Sequence, residues 1–245
     1  MPVQDPFQIS VPDDAIATLE QKLDLARLPD ELDEASWEYG VPLADVKRLV
    51  ARWKDQYNWR KHETDLNALP MFTTEIEVDG FGTLNIHYVH QKSVVRDAIP
   101  LLFVHGWPGS FIEVRKILPL LTESSSDHPS FHVVGLGLPG YGFSEAPKKK
   151  GFSGRQYAEV GHKLMLALGY DEYVTQGGDW GHLITRTAAK LYGPKSSPPG
   201  LFSNPIQYIT HLLLPYTAEE RARLERRRWF TIKGHGYFEE HATQP

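Results

Sequence analysis

One aspartate sits in a setting that suits chemistry: Gly177-Gly178-Asp179-Trp180-Gly181, between an apolar run and a helical one. The spacing G-x-acid-x-G fits a sharp strand-to-helix turn, which strains its central residue and presents that side chain outward. A carboxylate with an ordinary pKa of about 3.9 is ionised at neutral pH, so it can attack an electrophilic carbon without help from a base. Read alone, Asp179 could equally cap the helix that follows. A second segment, His105-Gly106-Trp107-Pro108-Gly109, directly follows a strand-like run. Its Trp107 N–H, with the Trp180 N–H after the aspartate, would supply donors for negative charge developing on an oxygen. Alone, this segment is also an ordinary Gly-Pro turn. A third segment, Leu138-Pro139-Gly140-Tyr141-Gly142-Phe143-Ser144, is turn-rich, and its Tyr141 is either a core aromatic or a pocket wall. There is no G-x-S-x-G and no cysteine, so serine elbows, thiolates and disulfides are excluded.

The elements around these segments fall into two zones. From about 97 onward, short apolar runs alternate with helical stretches, the mark of a parallel sheet with helices on its faces. Strands are expected at 99–104, 131–136 and 173–176. Helices are expected at 113–121, 155–168 and 180 to about 192, so that the three motifs follow the three strands in order. Before that lies a charged, tryptophan-rich zone up to about 95. Its helix begins at Pro12-Asp13-Asp14, turns Ile16, Leu19 and Leu23 to one side, and ends near Arg27-Leu28-Pro29. A second helix over 43 to about 57 turns Val46, Leu49, Val50 and Trp53 inward. A hairpin follows, with Phe72, Thr74, Ile76 and Val78 alternating, a turn at Asp79-Gly80, and Leu84, Ile86 and Tyr88 on the return.

Composition narrows the field further. The 245 residues carry 26 basic and 31 acidic side chains, a net charge of −5, which argues against general nucleic-acid binding. No apolar run approaches the roughly 18–20 residues of a membrane span. The start, Met1-Pro2-Val3-Gln4-Asp5, lacks the basic and apolar pattern of a signal peptide, so a soluble cytoplasmic protein is expected. No pair of the eleven histidines has helical spacing with a partner acid, and no metal or cofactor is expected.

On these motifs the chain resembles the microsomal-type epoxide hydrolases. The N-terminal stretches that carry the likeness are Arg27-Leu28-Pro29-Asp30, Trp37-x-Tyr39-Gly40, Trp53-x-x-x-Tyr57-x-Trp59-Arg60 and Glu63-x-x-Leu66-Asn67. The others are His105 to Phe111, Leu138 to Ser144 and Gln176 to Gly181. The resemblance implies an α/β-hydrolase: a mostly parallel sheet with flanking helices, preceded by a helical and hairpin N-terminal domain over 1–95. The core would cover 96–200, and 201–245 would begin a lid. It implies hydrolysis of an epoxide to a vicinal diol through an ester on Asp179. Trp107 and Trp180 would supply the oxyanion-hole N–H groups, and Tyr237 would be a lid proton donor, unless it is an ordinary half-buried aromatic. His105, Gly106, Pro108 and Tyr141 would line the substrate pocket. The expected partner is a small epoxide, and a homodimer is compatible with the resemblance.

The chain departs from the pattern in length. After the N-terminal zone about 150 residues remain, against about 200–250 for many single domains of this class. The acid and the base histidine that follow the lid in this fold, and the second lid tyrosine, are not in the sequence, so a partial chain with slow ester hydrolysis is expected. His182, one helical turn past Asp179, reads as a packing or surface residue. The stretch 194–204, with its Ser-Pro linker and Gly200-Leu201-Phe202-Ser203-Asn204, leaves the sheet order beyond 195 open. A charged helix is expected over 217–228, with a capping box from Thr217 to Glu220 and a solvated face. Two rivals remain: a haloalkane dehalogenase, which also uses an Asp-Trp elbow, and a non-catalytic binding remnant.

Overall fold

The computed structural model describes residues 4–193 and positions 221, 222, 225 and 226. Met1–Tyr192 forms one compact unit and Gly193–Pro245 another; the sheet and the candidate site lie in the first.

The N-terminal segment is lashed down rather than packed into a core of its own. Strand β1 (Asp5–Pro6) pairs with the edge of the hairpin at Thr73 and Phe72. Helix α1 (Asp13–Asp24) starts after Pro12 with two acids in its first turn, where free amides favour negative charge. Helix α2 (Leu43–Gln56) also starts after a proline, and Lys54 pairs with Asp24 at 2.7 Å to join the two. Helix α3 (Trp59–Leu66) is capped by the Asn58 side chain, which accepts from the Lys61 N–H at 3.0 Å. Two residues of α3 and its cap then hold the preceding chain. Glu63 accepts from the Val11 N–H at 2.7 Å and from the Trp59 indole at 3.1 Å. Asn67 accepts from the Ile9 N–H at 2.7 Å and donates to the Ile9 carbonyl at 2.8 Å. The Glu63-x-x-Leu66-Asn67 pattern is thus a clamp on residues 9–11.

Strands β2 (Met71–Val78) and β3 (Gly82–Gln91) form the expected hairpin. They continue into β4 (Ile99–Val104), β5 (Phe131–Leu136) and β6 (Val174–Gly177) as one six-stranded sheet, ordered β1-β2-β3-β5-β4-β6. The sheet is mixed. Strands β5, β4 and β6 run parallel, and β3 joins β5 antiparallel with Tyr88 opposite Leu136. The position 95/96 therefore falls between two strands of one continuous sheet.

Alternation along the strands fills both faces, which is why β4 and β5 read as unbroken apolar runs. Leu102, Val104, Val134 and Leu136 face α5 (Gly154–Ala167) and α6 (Trp180–Tyr192), where Val160, Leu164 and Ile184 complete the core. Leu101 and Val133 face the other way, toward Leu66, Phe111, Val114 and Leu118. Gly161 lets α5 approach the sheet, since a Cβ there would stand 3.0 Å from Leu102.

Three expectations are corrected. Leu49 and Trp53 do not face inward; they are 52% and 47% exposed, and α2 buries no residue fully. The helix expected over 113–121 is a 3-10 turn, Phe111–Val114, followed by a short α4, Leu118–Thr122. Pro119 explains the break: it lacks an N–H and tolerates only the first helical turn, so it starts a new helix. Helix α3 has no counterpart in the sequence reading, because its eight residues include just one buried apolar side chain, Leu66. Arg221, Ala222, Glu225 and Arg226 are helical and exposed, within the stretch read as a charged helix. The rest of that stretch, residues 200–204 and Tyr237 lie outside the described residues.

Candidate active site

Asp179 occupies the turn between β6 and α6 with φ at +50°, a left-handed conformation that is uncommon for a side-chain-bearing residue. The flanking glycines are there for space. A Cβ on Gly177 would lie 2.4 Å from the Gly181 carbonyl oxygen, and one on Gly181 would lie 2.1 Å from the Val104 carbonyl oxygen. The turn therefore sits directly against the end of β4. Gly178, by contrast, has open space around it. Asp179 is exposed, and its backbone carbonyl accepts from the His182 N–H at 3.1 Å, so it also begins the helix.

The loop after β4 closes on this carboxylate. The Trp107 N–H donates to Asp179 Oδ1 at 2.9 Å. Gly106 permits the approach, because its Cβ would stand 2.8 Å from the Asp179 Cβ. The Trp107–Pro108 peptide is cis. Gly109 makes room for the Glu113 carboxylate, which takes the Gly106 N–H at 3.4 Å.

His105 fixes the loop from below. It is 1% exposed, and its Nδ1 lies 2.9 Å from the Gly106 carbonyl oxygen. That oxygen only accepts, so Nδ1 carries the proton. Nε2 then accepts from the Leu138 N–H at 3.2 Å. The imidazole thus bridges the loops after β4 and β5 in its neutral form, and burial lowers its pKa from the ordinary value. Its ring meets the edge of Tyr141 at 5.4 Å.

The Leu138–Ser144 loop is held by a residue the sequence reading left without a role. Ser144 Oγ donates to the Gly137 carbonyl at 2.7 Å and accepts from the His87 N–H at 2.9 Å, tying the loop to β3. Nothing in the linear sequence pairs positions 57 apart. Gly140 and Gly142 both take positive φ, at +83° and +56°, which explains the glycines around Tyr141.

Of the residues singled out from sequence, Asp179, Trp107, His105, Gly106 and Tyr141 are thus linked by contact. Pro108 adjoins them in the loop. Trp180 begins α6 with 48% of its surface exposed. His182 is exposed. Among the described residues no cluster of three or more His, Asp or Glu is placed to hold a metal ion. No helix among them is long and apolar enough to cross a membrane.

Chemically, the arrangement offers a carboxylate with one oxygen held by a backbone N–H. Among the described residues the other oxygen takes no hydrogen bond.

Comparison with known proteins bears on the family and the fold. Residues 4–114 match the epoxide hydrolase N terminus family, and residues 99–203 match the alpha/beta hydrolase fold. A relative from Stigmatella aurantiaca is 38% identical over 249 residues, covering 98% of this chain and 54% of its own. Epoxide hydrolase 1 of Sus scrofa is 42% identical over 194 residues, covering 76% of this chain and 42% of its own. The chain spans about half the length of the curated relatives it matches. The Aspergillus niger epoxide hydrolase structure superposes with a TM-score of 0.80 at 30% identity, covering 99% of this chain and 64% of that one. The juvenile hormone epoxide hydrolase of Bombyx mori superposes at 0.71 with 31% identity, covering 78% and 50%. An aspartate elbow met by a tryptophan N–H, set in this sheet and among these relatives, places the chain in the epoxide hydrolase family of the α/β-hydrolase fold.

Proposed function

We propose that this protein hydrolyses an epoxide to a vicinal diol through an ester on Asp179. The observation that carries the reading is the 2.9 Å bond from the Trp107 N–H to Asp179 Oδ1, at a turn that holds Asp179 at positive φ. The bond divides the two oxygens by role. Oδ2 attacks an epoxide carbon, the ring C–O bond breaks, and the epoxide oxygen takes a proton, for which Tyr237 is the proposed donor. Oδ1 becomes the ester carbonyl oxygen, already facing its donor. When water adds to the ester carbon, negative charge gathers on Oδ1, where the N–H groups of Trp107 and Trp180 stabilise it. The diol then leaves as the bond from the ester carbon to Oδ2 breaks, one water proton passing to that oxygen and the other restoring the Tyr237 hydroxyl, and Asp179 is regenerated with one oxygen from water.

His105, Gly106, Pro108 and Tyr141 shape the pocket in this reading. Residues 1–95 act as the N-terminal domain, 96–200 as the core, and 201–245 as the start of a lid. Two assays test the proposal on the 245-residue chain: diol release from styrene oxide and halide release from a haloalkane. Diol formation, or alkylation of the protein by the epoxide, that is lost in Asp179→Asn supports it. Halide release with no reaction at the epoxide would turn the reading toward a dehalogenase, and a folded protein inert to both would make it a non-catalytic relative.

A further inference from the structure

The backbone donor that meets Asp179 hangs on a glycine. Gly106 must lack a side chain, because a Cβ there would stand 2.8 Å from the Asp179 Cβ. Glycine is also the residue least able to hold its own dihedral angles. The peptide that follows it carries the Trp107 N–H, which donates to Asp179 Oδ1 at 2.9 Å. Two bonds restore the lost stiffness, one on each side of the Gly106 Cα. On the C-terminal side, the Gly106 carbonyl accepts from His105 Nδ1–H at 2.9 Å. On the N-terminal side, the Gly106 N–H donates to Glu113 Oε1 at 3.4 Å, which among the described residues is the only hydrogen bond of that carboxylate. Glu113 reaches the loop from a fixed platform. Phe111 and Val114, in the same 3-10 turn, are buried at 4% and 0% exposure, and Ser110 caps the turn. The carboxylate fills the space beside Gly109, where a Cβ would collide with it. Both glycines of the loop are therefore spaces kept for a carboxylate, Gly106 for Asp179 and Gly109 for Glu113.

We propose that Glu113 is a positioning residue: by holding the Gly106 N–H it fixes the aim of the Trp107 N–H at Asp179, and so speeds hydrolysis of the Asp179 ester more than its formation. The inference rests on the epoxide reading above and adds a residue and the step it serves. When the ester forms, Oδ2 bonds to the epoxide carbon and Asp179 loses its charge, so the bond from the Trp107 N–H does not strengthen toward that transition state. When water adds to the ester carbon, an electron pair moves onto Oδ1, and a well-aimed N–H acts most strongly there. The pair returns as the bond from the ester carbon to Oδ2 breaks; one water proton leaves with the diol and the other restores the Tyr237 hydroxyl. The charge of Glu113 is no help in that step, since it repels the charge gathering on Oδ1. Its oxygen acts only as an acceptor, and glutamine supplies the same atom at the same reach.

The parent, Glu113→Ala and Glu113→Gln are compared with styrene oxide. Acid-quenched time courses read by intact-mass spectrometry give the rate at which the protein gains one substrate mass. Removal of the epoxide by rapid desalting then gives the rate at which that mass is lost. Glu113→Ala should lose the adduct at least about tenfold more slowly than the parent, while forming it within about threefold of the parent rate. Glu113→Gln should lose it as fast as the parent. In parallel, the Trp107 amide proton is followed by NMR; it should move upfield in Glu113→Ala and hold its place in Glu113→Gln. Adduct loss at the parent rate in Glu113→Ala, equal slowing of both steps, or a Trp107 resonance that stays in place overturns the proposal. A Glu113→Gln variant as slow as Glu113→Ala does the same. If styrene oxide alkylates none of the three proteins, a Trp107 resonance that moves only in Glu113→Ala upholds the aim of the N–H and overturns the epoxide reading instead.

Discussion

Asp179 is exposed, held at a strained φ, and in contact with a backbone N–H that no side-chain substitution removes. Asparagine keeps the shape and tolerates the left-handed conformation at least as well as aspartate. Asp179→Asn should therefore change stability by less than about 0.5 kcal/mol while abolishing alkylation, as read by thermal melting beside the activity assay. The three glycines of the elbow separate by space. Gly181→Ala drives a Cβ into the Val104 carbonyl and Gly177→Ala drives one into the Gly181 carbonyl, so each should cost about 3 kcal/mol or more in denaturant titration. Gly178→Ala meets nothing and should stay within about 0.5 kcal/mol of the parent. A similar loss at all three positions would contradict the crowding described here. The sequence showed that small residues stand at these positions; only the packing distinguishes the two that are required from the one that is not.

At the level of elements, β4, β5 and α6 were legible to the residue because each is a strong local pattern bounded by Gly, Pro or a turn. The elements that were misread depend on partners remote in sequence. Alpha-helical periodicity runs through 113–121, yet Pro119 restarts the helix, and the stripe on α2 leaves Leu49 and Trp53 half in solvent. The site followed the same division. Asp179 and the 105–109 loop were visible as motifs, whereas the Ser144 tie to β3 and the Glu63 and Asn67 clamp join residues more than fifty positions apart. The clamp invites a test. Asn67→Ala removes both bonds to Ile9, which is 3% exposed, and should cost about 1–3 kcal/mol. Hydrogen exchange at the Ile9 and Val11 amides should speed up well beyond the change at β4. Uniform acceleration across the sheet would mean that the N-terminal segment is not a separate clamp.

For the whole molecule, the two histidines at the heart of the sheet set an acid limit. His87 is enclosed by the rings of Phe7, Phe111 and Phe143, and burial pushes its pKa down to about 4. His90 is likewise lowered to about 4, chiefly by burial and then by Lys92 and His132. Both are neutral in the folded state and take up protons near 6.5 when unfolded, so the unfolded chain binds more protons below that pH. Stability should thus be level above about pH 7 and fall as pH drops from 6.5 to 4, by about 3 kcal/mol for each histidine. Urea titrations across that range measure the slope, and a stability that rises on acidification would refute it. The same sheet holds the proposed site, with Asp179 at the end of β6 and its donor at the end of β4. The most direct test of that chemistry is to incubate the chain with styrene oxide, quench in acid and map the label by peptide mass spectrometry. The account predicts one substrate mass on the peptide containing Asp179 and none in Asp179→Asn. Label elsewhere, or label that survives in Asp179→Asn, would contradict it.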